Sequence, residues 1–284
     1  MKATCSFDII VIIVRMCKFG LEAEMSDLLL LGTNGIIVLF VLLFLFGIVI
    51  GSFLNVLIYR IPLKEDIAVE RSHCMHCGHV LSWYELIPLF SYIIQGGKCR
   101  SCKKHISIQY PLIEALNAIL WMGVVCANGL KIETILFCLC SSVLIVLAVI
   151  DERTKEIPLP LNIAIFILGI ARICFDYSHW YEYIIGMLVV SGLFFLIVAL
   201  SKGRAMGMGD VKLMFAAGLL LGWKHILLAM ILGCALGSII HLIRMRVQKK
   251  NSELAFGPYL AMGIYLTFIV GQPIINWYMG LFRV

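Results

Sequence analysis

Two aspartates stand where apolar runs meet polar ones. The stretch "SSVLIVLAVIDERTKEIP" closes an apolar run directly on Asp151, and "MGMGDVKLM" opens another on Asp210. A carboxylate costs ~2.5–3.5 kcal/mol at mid-membrane on insertion scales, and less near the interface. At a helix N-terminus, where Asp210 is expected, the helix dipole offsets part of that cost by ~0.3–1 kcal/mol. At a helix C-terminus, where Asp151 is expected, the dipole adds to it. As a pair they make chemical sense. Two carboxylates facing one water do not easily both ionise, so one keeps its proton and the other acts as base, and the pair can activate water against a peptide carbonyl. Gly207 and Gly209 carry no side chains on the approach to Asp210, which would let a substrate backbone lie close.

A second constellation is "CMHCGHVLSWYELIPLFSYIIQGGKCRSC", with Cys74, Cys77, Cys99 and Cys102. Each CxxC turn can present two thiolates to one metal edge, and two turns complete a tetrahedral Zn²⁺ site. Four thiolates leave no open coordination position, so the expected metal is structural. Such a metal would hold together a loop with little core of its own. The apolar excursion between the turns widens their spacing. His73, His76, His79 and His105 lie nearby and read as solvated loop residues. The other seven cysteines sit in or near apolar runs, where they act as small hydrophobes.

The elements that must carry these groups follow from composition. The chain has 284 residues, 62% of them hydrophobic. The excess lies in continuous runs without period-two alternation, which points to an all-α polytopic membrane protein and away from a closed barrel. About eight transmembrane helices are expected, near 35–59, 111–129, 133–150, 159–175, 181–200, 211–222, 225–243 and 257–282. The sixth is short, and Gly271 and Pro273 are expected to interrupt the last. Glycines at 186, 192, 218, 222, 233 and 237 would let helices approach closely.

Lys and Arg sort by loop. The loops 60–110, 151–158, 201–212 and 244–256 carry sixteen of the 23, and the alternate connections with the C-terminus carry four. By the positive-inside rule the rich side is cytosolic, which puts both aspartates and the cysteine loop there. The net charge of +6 is thus a topology signal. Without an aromatic-interleaved basic patch, no nucleic-acid partner is expected. "MKATCSFDIIVIIVRMC" makes a poor signal peptide, since Asp8 and Arg15 interrupt its apolar patch. An interfacial segment and a start at Met25 both stay open for it.

These residues together resemble the type IV prepilin peptidases, the bifunctional leader peptidase/N-methyltransferases of the GxGD aspartic protease class. The resemblance runs over residues ~35–272 through "FGIVIGSFLNVLIYRIP", the cysteine loop, "YPLIEAL", "IDERTKEIP", "GMGDVKLM" and "FGPYLAMG". It implies Asp151 and Asp210 as the catalytic pair of a peptidase that removes a short basic leader from prepilin or pseudopilin substrates. It implies N-methylation of the new N-terminus from S-adenosylmethionine, with Gly97, Lys98, Asn55, Arg60, Glu85 and Glu114 as candidate methyltransferase residues. It also implies a bacterial cytoplasmic (inner) membrane location. The division expected is an N-terminal extension (1–34), a methyltransferase half (35–130) holding the zinc module (60–110), and a peptidase half (131–284). Gln109 stands where many relatives carry arginine, and Ala255 where proline is common. Three other readings stay open: a peptidase without methyl transfer, a non-catalytic membrane scaffold with a zinc module, and a transporter with the aspartates as proton sites. A scaffold would tolerate Asp210→Asn, and a transporter would favour mid-membrane charges and repeat symmetry.

Overall fold

The computed structural model describes residues 32–67, 71–204, 206–248 and 255–281. The expected N-terminal extension lies almost wholly outside them. The described residues are helical, with isolated bridges in the cysteine loop in place of strands. The long helices are α1 (Gly32–Leu63), α3 (Gln109–Asn128), α4 (Ile132–Thr154), α5 (Leu159–Phe175), α6 (Trp180–Ser201), α7 (Met208–Leu221), α8 (Trp223–Gln248) and α9 (Gly257–Gly280), with a short α2 (Phe90–Ile94) in the cysteine loop. All eight expected apolar stretches are therefore helices. Six of these are long and apolar enough to cross a membrane, and the chain is an integral membrane protein.

The two that fall short differ for a reason of length. α5 has 17 residues and α7 has 14. At 1.5 Å per residue they rise about 26 and 21 Å, against a hydrocarbon core of about 30 Å. The last span departs from expectation in the other direction, because α9 continues through Gly271 and Pro273. Proline removes one backbone bond, a loss that helices packed in a bundle tolerate. Gly271 serves contact instead: a methyl group there would sit 2.8 Å from Thr267 Cγ2 and 3.0 Å from His225 Cδ2.

Small residues and side-chain amides hold the helices together. A methyl group at Gly47 would lie 2.6 Å from Ala118 Cα, and one at Gly51 2.6 Å from Glu114 Cα, so α1 and α3 pack backbone to backbone. Asn117 Nδ2 donates to Gly47 O (2.8 Å), Ser142 Oγ to Asn117 Oδ1 (2.7 Å), and Trp121 Nε1 to Ser142 Oγ (2.9 Å). That chain stitches α1, α3 and α4. α7 is enclosed, with Gly218 against Gly186 of α6 and Leu219 against Gly169 of α5. α9 closes the bundle, with Phe268 stacked on Phe137 of α4 at 4.5 Å and Gly263 against Gly233 of α8. Gly192 has nothing within 4 Å and takes no part in such an approach. At the end away from the cysteine loop, Arg172 pairs with Glu133 (3.0 Å) and donates to Tyr183 OH (3.2 Å), tying α4, α5 and α6.

Candidate active site and metal centre

Asp151 lies in the last turns of α4 and is 5% exposed; Asp210 lies in the first turn of α7 and is 8% exposed. The α4 position is one the helix dipole disfavours, and α9 compensates. Its first residue, Gly257, donates its N–H to Asp151 Oδ2 at 2.9 Å. A methyl group at Gly257 would sit 2.6 Å from that oxygen, so no other residue allows this approach. Asp210 lies beside Gly207, the residue that caps the start of its own helix. Asp151 and Asp210 thus lie at the same end of the bundle, each buried.

Ile157 joins the two sides. It follows the turn that ends α4, and its side chain fills the space where a methyl group at Gly209 would lie 3.1 Å from Ile157 Cβ, and one at Gly257 3.3 Å from Ile157 Cδ1. Gly209 is thus packed against Ile157 and does not open a path to Asp210. Gly207 keeps open space around it, since a methyl group there would meet nothing nearer than Asp210 Oδ2 and Gly209 N, both at 3.9 Å. Spacing along the sequence marks the aspartates but not Ile157 or Gly257, which lie in "IDERTKEIP" and "FGPYLAMG" without standing out there as site residues.

The residues after Asp151 brace the same turn. Glu152 pairs with Arg244 of α8 at 2.8 Å. Arg153 donates to Gln109 Oε1 of α3, and its guanidinium lies 5.6 Å over the ring of Tyr59 of α1. Tyr59 stacks on Tyr110 at 5.9 Å. Gln109 therefore bonds Arg153 from a position where an arginine would oppose it.

The four cysteines form two copies of one turn. Cys74 N bonds His79 O (2.9 Å) and Gly78 N bonds Cys74 O (2.9 Å); Cys99 N bonds Lys104 O (2.8 Å) and Lys103 N bonds Cys99 O (2.9 Å). The residue closing each turn has positive φ, +69° at Gly78 and 60° at Lys103. The four Sγ atoms converge within 4.8 Å of one another and could hold a metal ion. The His76 N–H holds the Cys74 thiol down to about 7 against its burial, helped by the Cys77 N–H. Cys102, despite the Lys104 N–H, is pushed up to about 11 by burial and the neighbouring thiols. Four such groups ionise together only around a cation.

The remaining sequence candidates fall in three places. Asn55 and Glu114 both lie at the α1–α3 junction. Asn55 Nδ2 donates to Tyr110 O (3.2 Å) and Gly51 O (3.3 Å), while its Oδ1 is buried without a partner. Glu114 Oε2 accepts the Leu89 N–H at 2.8 Å. Glu85, Gly97 and Lys98 belong to the cysteine module. Glu85 Oε2 accepts Ser82 N–H (2.9 Å) and bonds His79 Nε2 (3.2 Å), and its Oε1 is buried and unpartnered. Gly97 packs on the Tyr92 ring, and Lys98 is exposed. Arg60 is turned to the backbone after α1, donating to Asp66 O at 2.8 Å.

Residues 45–128 match the model described as the Bacterial Peptidase A24 N-terminal domain, and residues 138–242 match the Type IV leader peptidase family. A protein of Aeromonas hydrophila named prepilin leader peptidase/N-methyltransferase is 31% identical over 271 residues, 84% of this chain and 93% of the relative. The chain belongs to the type IV leader peptidase family. Relatives of the same name come from Bacillus subtilis (strain 168), 33% identical over 84% of this chain and 97% of the relative, and from Pseudomonas aeruginosa, 30% identical over 83% and 91%. No solved structure gives a significant match. The first match covers α3 and α1 from residue 45 onward, and the second covers both aspartates and the braced turn after Asp151.

Proposed function

We propose that this protein cleaves the short basic leader from prepilin-like proteins at the cytosolic face of a bacterial inner membrane, and N-methylates the residue that cleavage exposes. The carrying observation is the pair of buried carboxylates, Asp151 and Asp210, brought to one end of the bundle by the shared Ile157 packing and the Gly257 N–H. The pair shares one proton. The ionised carboxylate takes a proton from water as the oxygen attacks the scissile carbonyl, and the protonated carboxyl gives its proton to the carbonyl oxygen. Collapse of the tetrahedral intermediate returns a proton to the leaving amine. Gly257 holds the Asp151 carboxylate in place, and the open space at Gly207 admits the substrate backbone.

The domain assignment we favour follows the same logic: 35–130 for methyl transfer, 131–284 for cleavage, with 1–34 as an extension. Cys74, Cys77, Cys99 and Cys102 would hold a structural zinc. Two of their Sγ pairs lie 3.9 and 4.0 Å apart, close to the ~3.8 Å edge of a tetrahedron with Zn–S of about 2.3 Å. S-adenosylmethionine supplies the methyl group, with Asn55, Arg60, Glu85, Gly97, Lys98 and Glu114 as candidate residues around it. Of these, the unpartnered Asn55 Oδ1 and Glu85 Oε1 have capacity to accept a hydrogen bond. The orientation rests on the loop charges.

The test is a single reaction. The purified protein is incubated with a prepilin and labelled S-adenosylmethionine, and shortening and label are read on the same product. Shortened, labelled product is expected. An uncut substrate rejects the peptidase reading, and a cut but unlabelled one rejects methyl transfer alone.

A further inference from the structure

Between the two cysteine turns the chain makes an apolar excursion that the metal site does not require. Trp83 is 78% exposed, Phe90 51%, Ile93 72% and Ile94 83%, within twelve residues. A water-facing surface seldom carries such a cluster without a partner. Its location names the partner. The Leu89 N–H, next to Phe90, is bonded to Glu114 Oε2. Glu114 is five residues into α3, a helix of 20 residues, so the bond lies about 7 Å along a span whose full rise is about 30 Å. Glu114 is buried, and α1 lies against its backbone at Gly51. The excursion is therefore pinned below the outer edge of the helices that cross the membrane. Exposed basic residues follow it at once: Lys98, Arg100, Lys103 and Lys104. Arg100 lies 5.3 Å over the Tyr84 ring, which links the apolar and basic parts.

We propose that residues 83–94 form an interfacial wedge, with Phe90, Ile93 and Ile94 among the lipid chains and the neighbouring Lys and Arg at anionic headgroups. Aromatic and long apolar side chains flanked by cations favour that depth. The wedge holds the cysteine module flat on the membrane, beside the end of the bundle that carries Asp151 and Asp210. The strained Leu89 backbone, at φ 60° and ψ −53°, is the turn that sends the chain down to Glu114 and back.

The test places photoreactive benzoylphenylalanine at position 94 of the full-length protein in vesicles of phosphatidylethanolamine and phosphatidylglycerol. Position 46 of α1, where Phe46 is 64% exposed, serves as the lipid-facing control, and position 75, where Met75 is 63% exposed in the first cysteine turn, as the water-facing one. Lipid adducts at 94 comparable in yield to those at 46, and at least about fivefold above 75, are expected. A yield at 94 equal to that at 75 overturns the wedge. So does an adduct at 94 that moves from lipid to an added prepilin peptide. Should the residue at 94 lower the amount of folded protein, position 93 carries the same comparison.

Discussion

The cysteine module and the aspartate pair are built on opposite plans. The module is local: two five-residue turns, alike in their backbone bonds, bring four thiols together, and 28 positions separate the outermost two. The aspartates stand 59 positions apart and come to one end of the bundle only because α4, α7 and α9 pack. Backbone geometry makes the first site, and side-chain packing among helices makes the second. Local sites tolerate changes far away; packed sites do not.

The sharpest way to break this contrast is at the aspartates themselves. Asp151→Asn or Asp210→Asn is expected to lower leader cleavage by about 10³-fold or more, as loss of a general acid or base does, with the fold retained. Normal processing by either purified variant would end the dyad. The wild-type rate should also fall on both sides of an optimum, because a coupled pair titrates in two steps; a flat profile from pH 4 to 9 contradicts that.

Next in size is the metal centre. Cys99 is 3% exposed. Cys99→Ser should remove most of the bound metal, since a four-thiolate site loses a ligand. Methyl transfer should fall further than cleavage. Unchanged metal content by elemental analysis would refute the four-thiolate site.

Gly257→Ala tests whether packing sets the aspartates. The added methyl must push Asp151 Oδ2 away from 2.6 Å. A displacement of this order is expected to cost roughly 10- to 100-fold in cleavage, with metal content unchanged. Equal loss of metal would show that the two sites are not built separately.

The smallest effect concerns Glu85. The Ser82 N–H, and after it His79, holds this carboxyl below the usual carboxylate range. A depressed folded value means that the stabilisation is full above the unfolded value of about 4.3 and is lost as pH falls through the folded one. Glu85→Gln should therefore destabilise the module by about 1 kcal/mol near neutral pH. The gap from wild type should close as the pH drops below about 4, as read by thermal melting at both values. A gap that widens in acid would overturn the assignment.

How much of this could be read along the chain follows the same contrast. The thiol cluster was legible because CxxC spacing is itself a geometry. Eight helical stretches were legible from their apolar runs. Asp151 stood out because a carboxylate at a helix C-terminus needs a partner, yet the partner, the Gly257 N–H, lies 106 positions away. Ile157 reads as an ordinary apolar residue until α7 and α9 close on it. Pro273 read as a break because its missing bond is local, whereas the packing that keeps α9 whole is not. Gln109 and Arg153 carry no mutual signal in the sequence; their bond exists because α3 and α4 are antiparallel neighbours.

The shortness of α7 has a consequence for the helices around it. A helix of 14 residues rises about 21 Å, about 9 Å less than an ordinary hydrocarbon layer. Because α7 is enclosed, packed on Gly186 of α6 and Gly169 of α5, its longer neighbours and not lipid take up that difference. Asp210 stands at its start. A recess left above that first turn by the longer helices would bring water to the carboxyl without any pore through the protein.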